Sequence, residues 1–174
     1  MLRKVDENWG RCKGGKNSPK NIKEIGQINF SENLAEVFGI LLGGGHIQRY
    51  EDGNKIRCYS LIVAGNSHTD KDFVSVYVPS LFENVFGTKG SLFFSKDKNS
   101  VYYKIYGKRV VDFIISNGIS SGNKKENNQK IPNWIKRNKK FLLKCIKGLI
   151  DTDGSVHLDS KFSKNIRISY SSYI

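Results

Sequence analysis

Cysteine is scarce and unpaired by spacing: Cys12, Cys58 and Cys145 are the three in 174 residues. An odd number with no C-x-x-C pair argues against both a disulfide framework and a cysteine zinc site. His46, His68 and His157 lack the H-E-x-x-H ligand spacing of a zinc hydrolase. No apolar run approaches the roughly 20 residues that span a bilayer, so no membrane partner is expected. The opening MLRKVDENWG has basic residues without an apolar segment behind them, which argues against a secretory signal and for a cytoplasmic location. Acid is also in short supply. Sixteen Asp and Glu face 29 Lys and Arg, giving a formal charge of +13, enough to attract a polyanion in a salt-dependent way. Nucleic acid is therefore the first partner to consider.

What is present is organised by hydrophobic period. Residues 1–26 form a basic arm with little periodicity, holding Arg3, Lys4, Arg11, Lys13, Lys16 and Lys20. From Leu34 the apolar residues Leu34, Val37, Phe38, Leu41 and Leu42 recur at helical spacing, with Ser31 as N-cap. Gly43-Gly44-Gly45 stops that helix. An alternating strand around Ile47, a loop at Glu51-Asp52-Gly53-Asn54 and a returning strand Ile56–Val63 read as a hairpin. A helix over Asp70–Phe86 follows, capped at Ser67, with Phe73, Tyr77, Leu81 and Val85 on one face and a kink at Pro79. A second hairpin joins Leu92–Ser95 to Val101–Tyr106, and a short helix over 108–117 closes at Gly118. Residues 120–130 read as a linker. Ile131-Pro132-Asn133-Trp134-Ile135 and a Lys/Arg cluster then lead into a helix carrying Leu142, Leu143, Ile146, Leu149 and Ile150.

At a constant offset of 109 residues, Gly39-Ile40-Leu41-Leu42-Gly43-Gly44-Gly45 aligns with Gly148-Leu149-Ile150-Asp151-Thr152-Asp153-Gly154. A repeat at this spacing is too long for a solenoid unit and predicts two half-domains about a pseudo-two-fold axis. Gly39 and Gly148 fall where two helices would cross. Glycine there costs roughly 1 kcal/mol in helix propensity, which close helix packing would offset. Such packing would also bring residues 44 and 153 side by side at the two helix ends.

These residues carry a family resemblance. IKGLIDTDG, residues 146–154, is similar to the LAGLIDADG signature of homing endonucleases, and FGILLGGGHI, residues 38–47, resembles a variant of it. The resemblance implies an α+β fold: an αββαββα half over residues 27–130, then, over 131–174, a linker and an incomplete second half starting with its motif helix and hairpin. It further implies duplex DNA as partner and Mg²⁺ or another divalent cation as cofactor. The reaction implied is phosphodiester hydrolysis using one acidic residue from the end of each motif helix. Asp153 matches that acidic, metal-holding position. Gly44 stands where the first copy should have its Asp, so the expected activity is impaired or limited to nicking. Asp151 is expected to be a structural group. The second copy extends only from Gly154 to Ile174, so the expectation is either a monomer with a pseudo-two-fold or a homodimer that completes the second half. An inactive DNA-binding protein and an RNA-binding intron maturase are the alternatives.

Strand parity separates core from groove. With Ile47, Ile56, Cys58 and Ile62 turned to the motif helices, Gln48, Tyr50, Arg57 and Tyr59 would face DNA. In the second copy Val156, Leu158, Ile166 and Ile168 would face inward, leaving His157 and Arg167 for the groove. Arg suits guanine and Gln adenine in a major groove that admits a two-stranded ribbon. Lys96, Lys98 and Lys104 around the second hairpin, with Lys108 and Arg109, are phosphate candidates, as are Lys136, Arg137, Lys139 and Lys140.

Overall fold

The structure is a computed structural model that describes residues 26–52, 55–95, 98–124, 126–158 and 166–170; the basic arm apart from Gly26 lies outside the described residues. Helix α1, Glu32–Leu42, starts where the Ser31 Oγ accepts from the Leu34 N–H at 3.1 Å. It is buried from Leu34 to Leu42, the mark of a helix at the centre of a domain rather than on its surface. Gly43 ends it, with its N–H bonded back to the Gly39 carbonyl.

The chain then forms the hairpin β1, Gly45–Asp52, and β2, Lys55–Asn66. Both strands run longer than expected, because Glu51 and Asp52 still pair, with Ile56 and Lys55. A register shift between Tyr50 and Glu51 leaves Arg57 without a cross-strand partner, which makes it the extra residue of a β-bulge. The turn that follows β2 is held by Asn66, whose Oδ1 accepts from His68 N at 2.8 Å, and by Asp70, whose Oδ2 accepts from Asn66 N at 2.8 Å. Ser67, the expected cap, does not perform this role.

The helix expected over 70–86 is divided. A π-helical turn, Phe73–Tyr77, precedes α2, Val78–Phe86, with Pro79 in the first turn of α2, where its missing N–H costs least. The π turn inserts one residue, so the phase of the face slips. Val74, Val78, Leu81, Phe82 and Phe86 are buried; of the expected face, Leu81 is among them, Phe73 and Val85 pack partly buried against the core, and Tyr77 is exposed. Strands β3, Ser91–Ser95, and β4, Ser100–Tyr106, follow, then α3, Lys108–Ser116. The four strands form one antiparallel sheet in the order β1-β2-β4-β3. Its inner face supplies Ile47, Leu61, Val63, Val101, Tyr103 and Ile105 to the core beneath α1, α2 and α3.

Residues 120–130, expected as a bare linker, are pinned through the buried Gln129. Its Nε2 donates to Gly118 O at 2.7 Å and its Oε1 accepts from Ser120 N at 2.7 Å. Helix α4, Asn133–Lys136, places Trp134 against Phe30, Phe38 and Phe141, with ring centroids 4.7, 5.1 and 5.7 Å away. Helix α5, Lys139–Asp153, begins at the cap Asn138 and crosses α1.

The crossing follows the sequence repeat. A Cβ on Gly39 would lie 2.9 Å from the Cys145 carbonyl carbon and closer still to its oxygen; one on Gly148 would lie 2.8 Å from Ile40 N and closer still to Glu36 O. Positions 36 and 145, like 39 and 148, differ by the repeat offset, so each helix presents the same close contact to the other. The two halves are not equally covered. Leu34 and Val37 are fully buried, whereas their counterparts Leu143 and Ile146 are 58% and 38% exposed. Past α5 the chain forms β5, Gly154–Leu158, and β6, Ile166–Tyr170, which pair with each other as a separate two-stranded sheet.

Candidate nucleic-acid interface

Two features meet at one end of the crossed helices: the outer face of the four-stranded sheet and the paired C-terminal ends of α1 and α5. Directly paired residues share a face, so the register sorts the outer side into rows. His46, Ile62, Lys104 and Ser91 form one row, Gln48, Ser60 and Tyr106 a second, and Ala64, Tyr102 and Phe93 a third. The face is polar and aromatic, with Lys104 as the cation of the described rows. Ser60 Oγ donates to Gln48 Oε1 at 3.2 Å, Lys104 Nζ lies 5.5 Å from the Phe93 ring centre, and Phe93 and Tyr106 are 44% and 50% exposed.

The inward assignment of β2 is corrected by this register. Leu61 and Val63 are the buried residues, while Cys58 and Ile62 share the outer face with Gln48. Tyr59 does not point to the groove: it packs against the core, with the Lys108 ammonium 5.5 Å from its ring centre. The run Ile56–Val63 is apolar on both parities, so alternation alone could not choose between them. The structure places Gln48 and Lys104 on the outer face and leaves Lys98 exposed beside the β3–β4 turn. For Tyr50, Arg57, His157 and Arg167 only the backbone is described, with His157 opposite Arg167 in the β5–β6 pair. Lys96 lies outside the described residues. Sequence reasoning missed His46, Tyr102, Tyr106 and Phe93, although Tyr102, Lys104 and Tyr106 already alternate with the buried Val101, Tyr103 and Ile105.

At the helix ends, Asp153 is the last residue of α5 and lies over the end of α1. A Cβ on Gly43 would be 3.5 Å from Asp153 Cγ and would collide with Thr152 Oγ1. Thr152 Oγ1 is itself turned back to the Gly148 and Leu149 carbonyls at 3.0 and 3.1 Å. Gly44 adds no side chain here; a Cβ there would meet Thr152 Cβ at 3.3 Å. Lys124, from the expected linker, donates from Nζ to Leu42 O at 2.9 Å and to Gly43 O. A cation at the C-terminus of a helix offsets its dipole and caps its free carbonyls. Burial pushes the Lys124 ammonium below its usual value, and the Asp153 charge pulls it partly back. The Asp153 carboxyl is pushed up by desolvation, with Lys124 opposing. His46 is held down by burial and by the Lys124 charge. Asp151 belongs elsewhere, bonded to Lys147 Nζ at 2.7 Å.

The donor set decides which metal chemistry fits. Among the described residues no group of three or more His, Cys, Asp or Glu side chains converges on one point. Asp153 is the carboxylate at the helix ends, and the α1 carbonyls beside it already accept from Lys124. One Mg²⁺ fits this set, since it keeps several waters and takes its remaining ligands from one or two carboxylates and a phosphate. A second ion held by the first motif does not fit, because Gly44 offers no side-chain donor.

The crossed motif helices, the strand order and the helices packed under the sheet define the class: this chain has the LAGLIDADG homing-endonuclease fold. A mesophilic variant of the homing endonuclease I-DmoI matches it with a TM-score of 0.51 at 15% identity, over 71% of this chain and 62% of that one. I-DmoI in complex with DNA and Mn aligns at a TM-score of 0.49 and 17% identity, over 73% of this chain and 64% of that one. In sequence, the chain is 28% identical over 153 residues to an uncharacterized protein of Methanocaldococcus jannaschii, covering 82% of this chain and 48% of that protein. It is 26% identical over 153 residues to the replication factor C small subunit of the same organism, covering 84% of this chain and 8% of that protein. The chain thus spans less than half the length of either curated relative. No protein-family model matches it.

Proposed function

We propose that this chain is a DNA-binding protein of endonuclease type. Its outer sheet face lies in the major groove of duplex DNA, and its helix-end centre hydrolyses a phosphodiester of one strand with Mg²⁺. The observation that carries the reading is the pairing of the α1 and α5 ends, with Asp153 as the carboxylate there, beside a polar and aromatic sheet face that carries Lys104. A bound Mg²⁺ would supply Lewis acidity at the phosphate. Asp153 would hold it, and Lys124 would keep the end of α1 closed and positively charged. Lys104 and His46 on the outer face are suited to phosphate and base edges, Gln48 to adenine. Tyr50, Arg57, His157, Arg167, Lys96 and Lys98 are further proposed contacts, and the net charge of +13 supports electrostatic association.

The test is incubation with supercoiled plasmid carrying the DNA that flanks the protein's own gene, with and without Mg²⁺, beside Asp153→Asn. Nicking that needs both Mg²⁺ and Asp153 supports the reading. Salt-sensitive binding with no cleavage replaces it by a DNA-binding protein without catalysis. The exposed rings of Phe93 and Tyr106 favour a second reading, in which unpaired bases of intron RNA stack on the same face. Preference for structured RNA over duplex DNA in competition would select it.

A further inference from the structure

Glu36 is a carboxylate with 1% exposure at the crossing of the two motif helices, and the proposed chemistry makes no use of it. Its partners all come from other elements. Lys147 Nζ at 2.6 Å and Lys144 Nζ at 3.4 Å belong to α5, and the Tyr77 hydroxyl donates from the π turn. Lys147 also lies 3.0 Å from the Tyr77 oxygen and 2.7 Å from Asp151. An ion pair taken out of water returns little net stability, since desolvation of both charges offsets their attraction. Its best-attested use is to specify partner and register.

The repeat defines the partners to be chosen between. Its 109-residue offset exchanges Ala35 with Lys144, Glu36 with Cys145 and Phe38 with Lys147. The backbone contacts at Gly39 and Gly148 show that the crossing obeys this exchange. Two α1 helices from two copies, crossed in the same way, would set each Glu36 against Ala35 and Phe38 and bury two carboxylates with no cation. Two α5 helices would set Lys147 against Cys145. Lys147 would keep Asp151, while Lys144 would lose the acid that faces it here. That second pairing would also bring two copies of Asp153 together at the helix ends. Only the unlike pairing matches every charge, and a wrong partner is disfavoured by the charges it leaves unmatched.

We propose that Glu36, with Lys144 and Lys147, selects the α1–α5 pairing within one chain against like-with-like pairing between copies, and so holds the helix-end centre to a single carboxylate. The significance of that single carboxylate rests on the function proposed above; the selection itself concerns association alone. It is read on the full chain, without DNA or metal, by sedimentation velocity over a roughly hundredfold concentration range. The wild-type protein stays monomeric. Glu36→Gln keeps the shape and removes the charge, and it dimerises at concentrations where the wild type does not. Glu36→Lys associates more strongly, and adding Lys144→Glu and Lys147→Glu to it restores the monomer. A wild-type dimer overturns the proposal, as does a folded Glu36→Gln protein that remains monomeric throughout, or a charge exchange that associates as Glu36→Lys does. A protein that stays monomeric in this pattern yet never nicks plasmid refutes the nuclease reading and leaves the selection standing.

Discussion

Glu36 shows how much a single side chain at the crossing governs. Burial alone would push its carboxyl up, but the bonds from Lys147 and Tyr77 and the charges of Lys147 and Lys144 hold it below the ordinary value of 4.5. A lowered folded-state value means its contribution is present above the unfolded value and is lost as pH falls through the folded one. Thermal melts should therefore show wild-type stability declining below pH 4.5 more steeply than that of Glu36→Gln. At neutral pH Glu36→Ala should cost about 2–3 kcal/mol, less than the ~3–5 of a fully buried pair because both lysines keep part of their hydration. Cys145 carries a second prediction at this scale. Burial pushes its thiol up to about 12, so at pH 8 a maleimide or iodoacetamide should label it only after unfolding, as peptide mapping would show. The alignment of Gly44 with Asp153 was legible in the repeat, whereas the Asp153 carboxyl lies against Gly43 and Gly44 meets Thr152. Lys124 was not, because nothing local distinguishes it within SSGNKKENNQK; only the fold brings it to the end of α1.

Among the elements, the helix crossing sets the tightest tolerance. Gly148→Ala would drive a methyl group into the backbone at Glu36 and Ile40, which cannot yield as a side chain can. The expected loss is about 3 kcal/mol or more, at the upper end of overpacking in a core. Gly44→Ala is the contrasting case: its new methyl meets the Thr152 side chain at 3.3 Å, and the loss should stay below about 1 kcal/mol. Equal melting temperatures for the two variants would contradict this account of the crossing. The positions of α1, the hairpins and α5 were readable from period and punctuation, since Ser31, the three glycines and Gly118 mark real boundaries. Two features escaped for physical reasons. The π turn at Phe73–Tyr77 adds a residue that a 3.6-residue period cannot register, and the apolar stretch of β2 satisfies either strand parity.

Across the whole molecule, a charge of +13 brings any polyanion near, but the sheet decides how it is held. The charge and the repeat were legible as totals. The face was not, because its rows join four strands whose order, β1-β2-β4-β3, is not the chain order. The most direct test of the central claim, that this outer face docks duplex DNA, is the affinity for duplex DNA as a function of salt. Fluorescence anisotropy would compare the wild type with a variant combining His46→Ala, Lys104→Ala and Tyr106→Ala. The variant should keep its melting temperature, bind at least about tenfold more weakly, and show a salt slope reduced by about 1 for the lost lysine. An unchanged affinity and slope in a folded variant would contradict it.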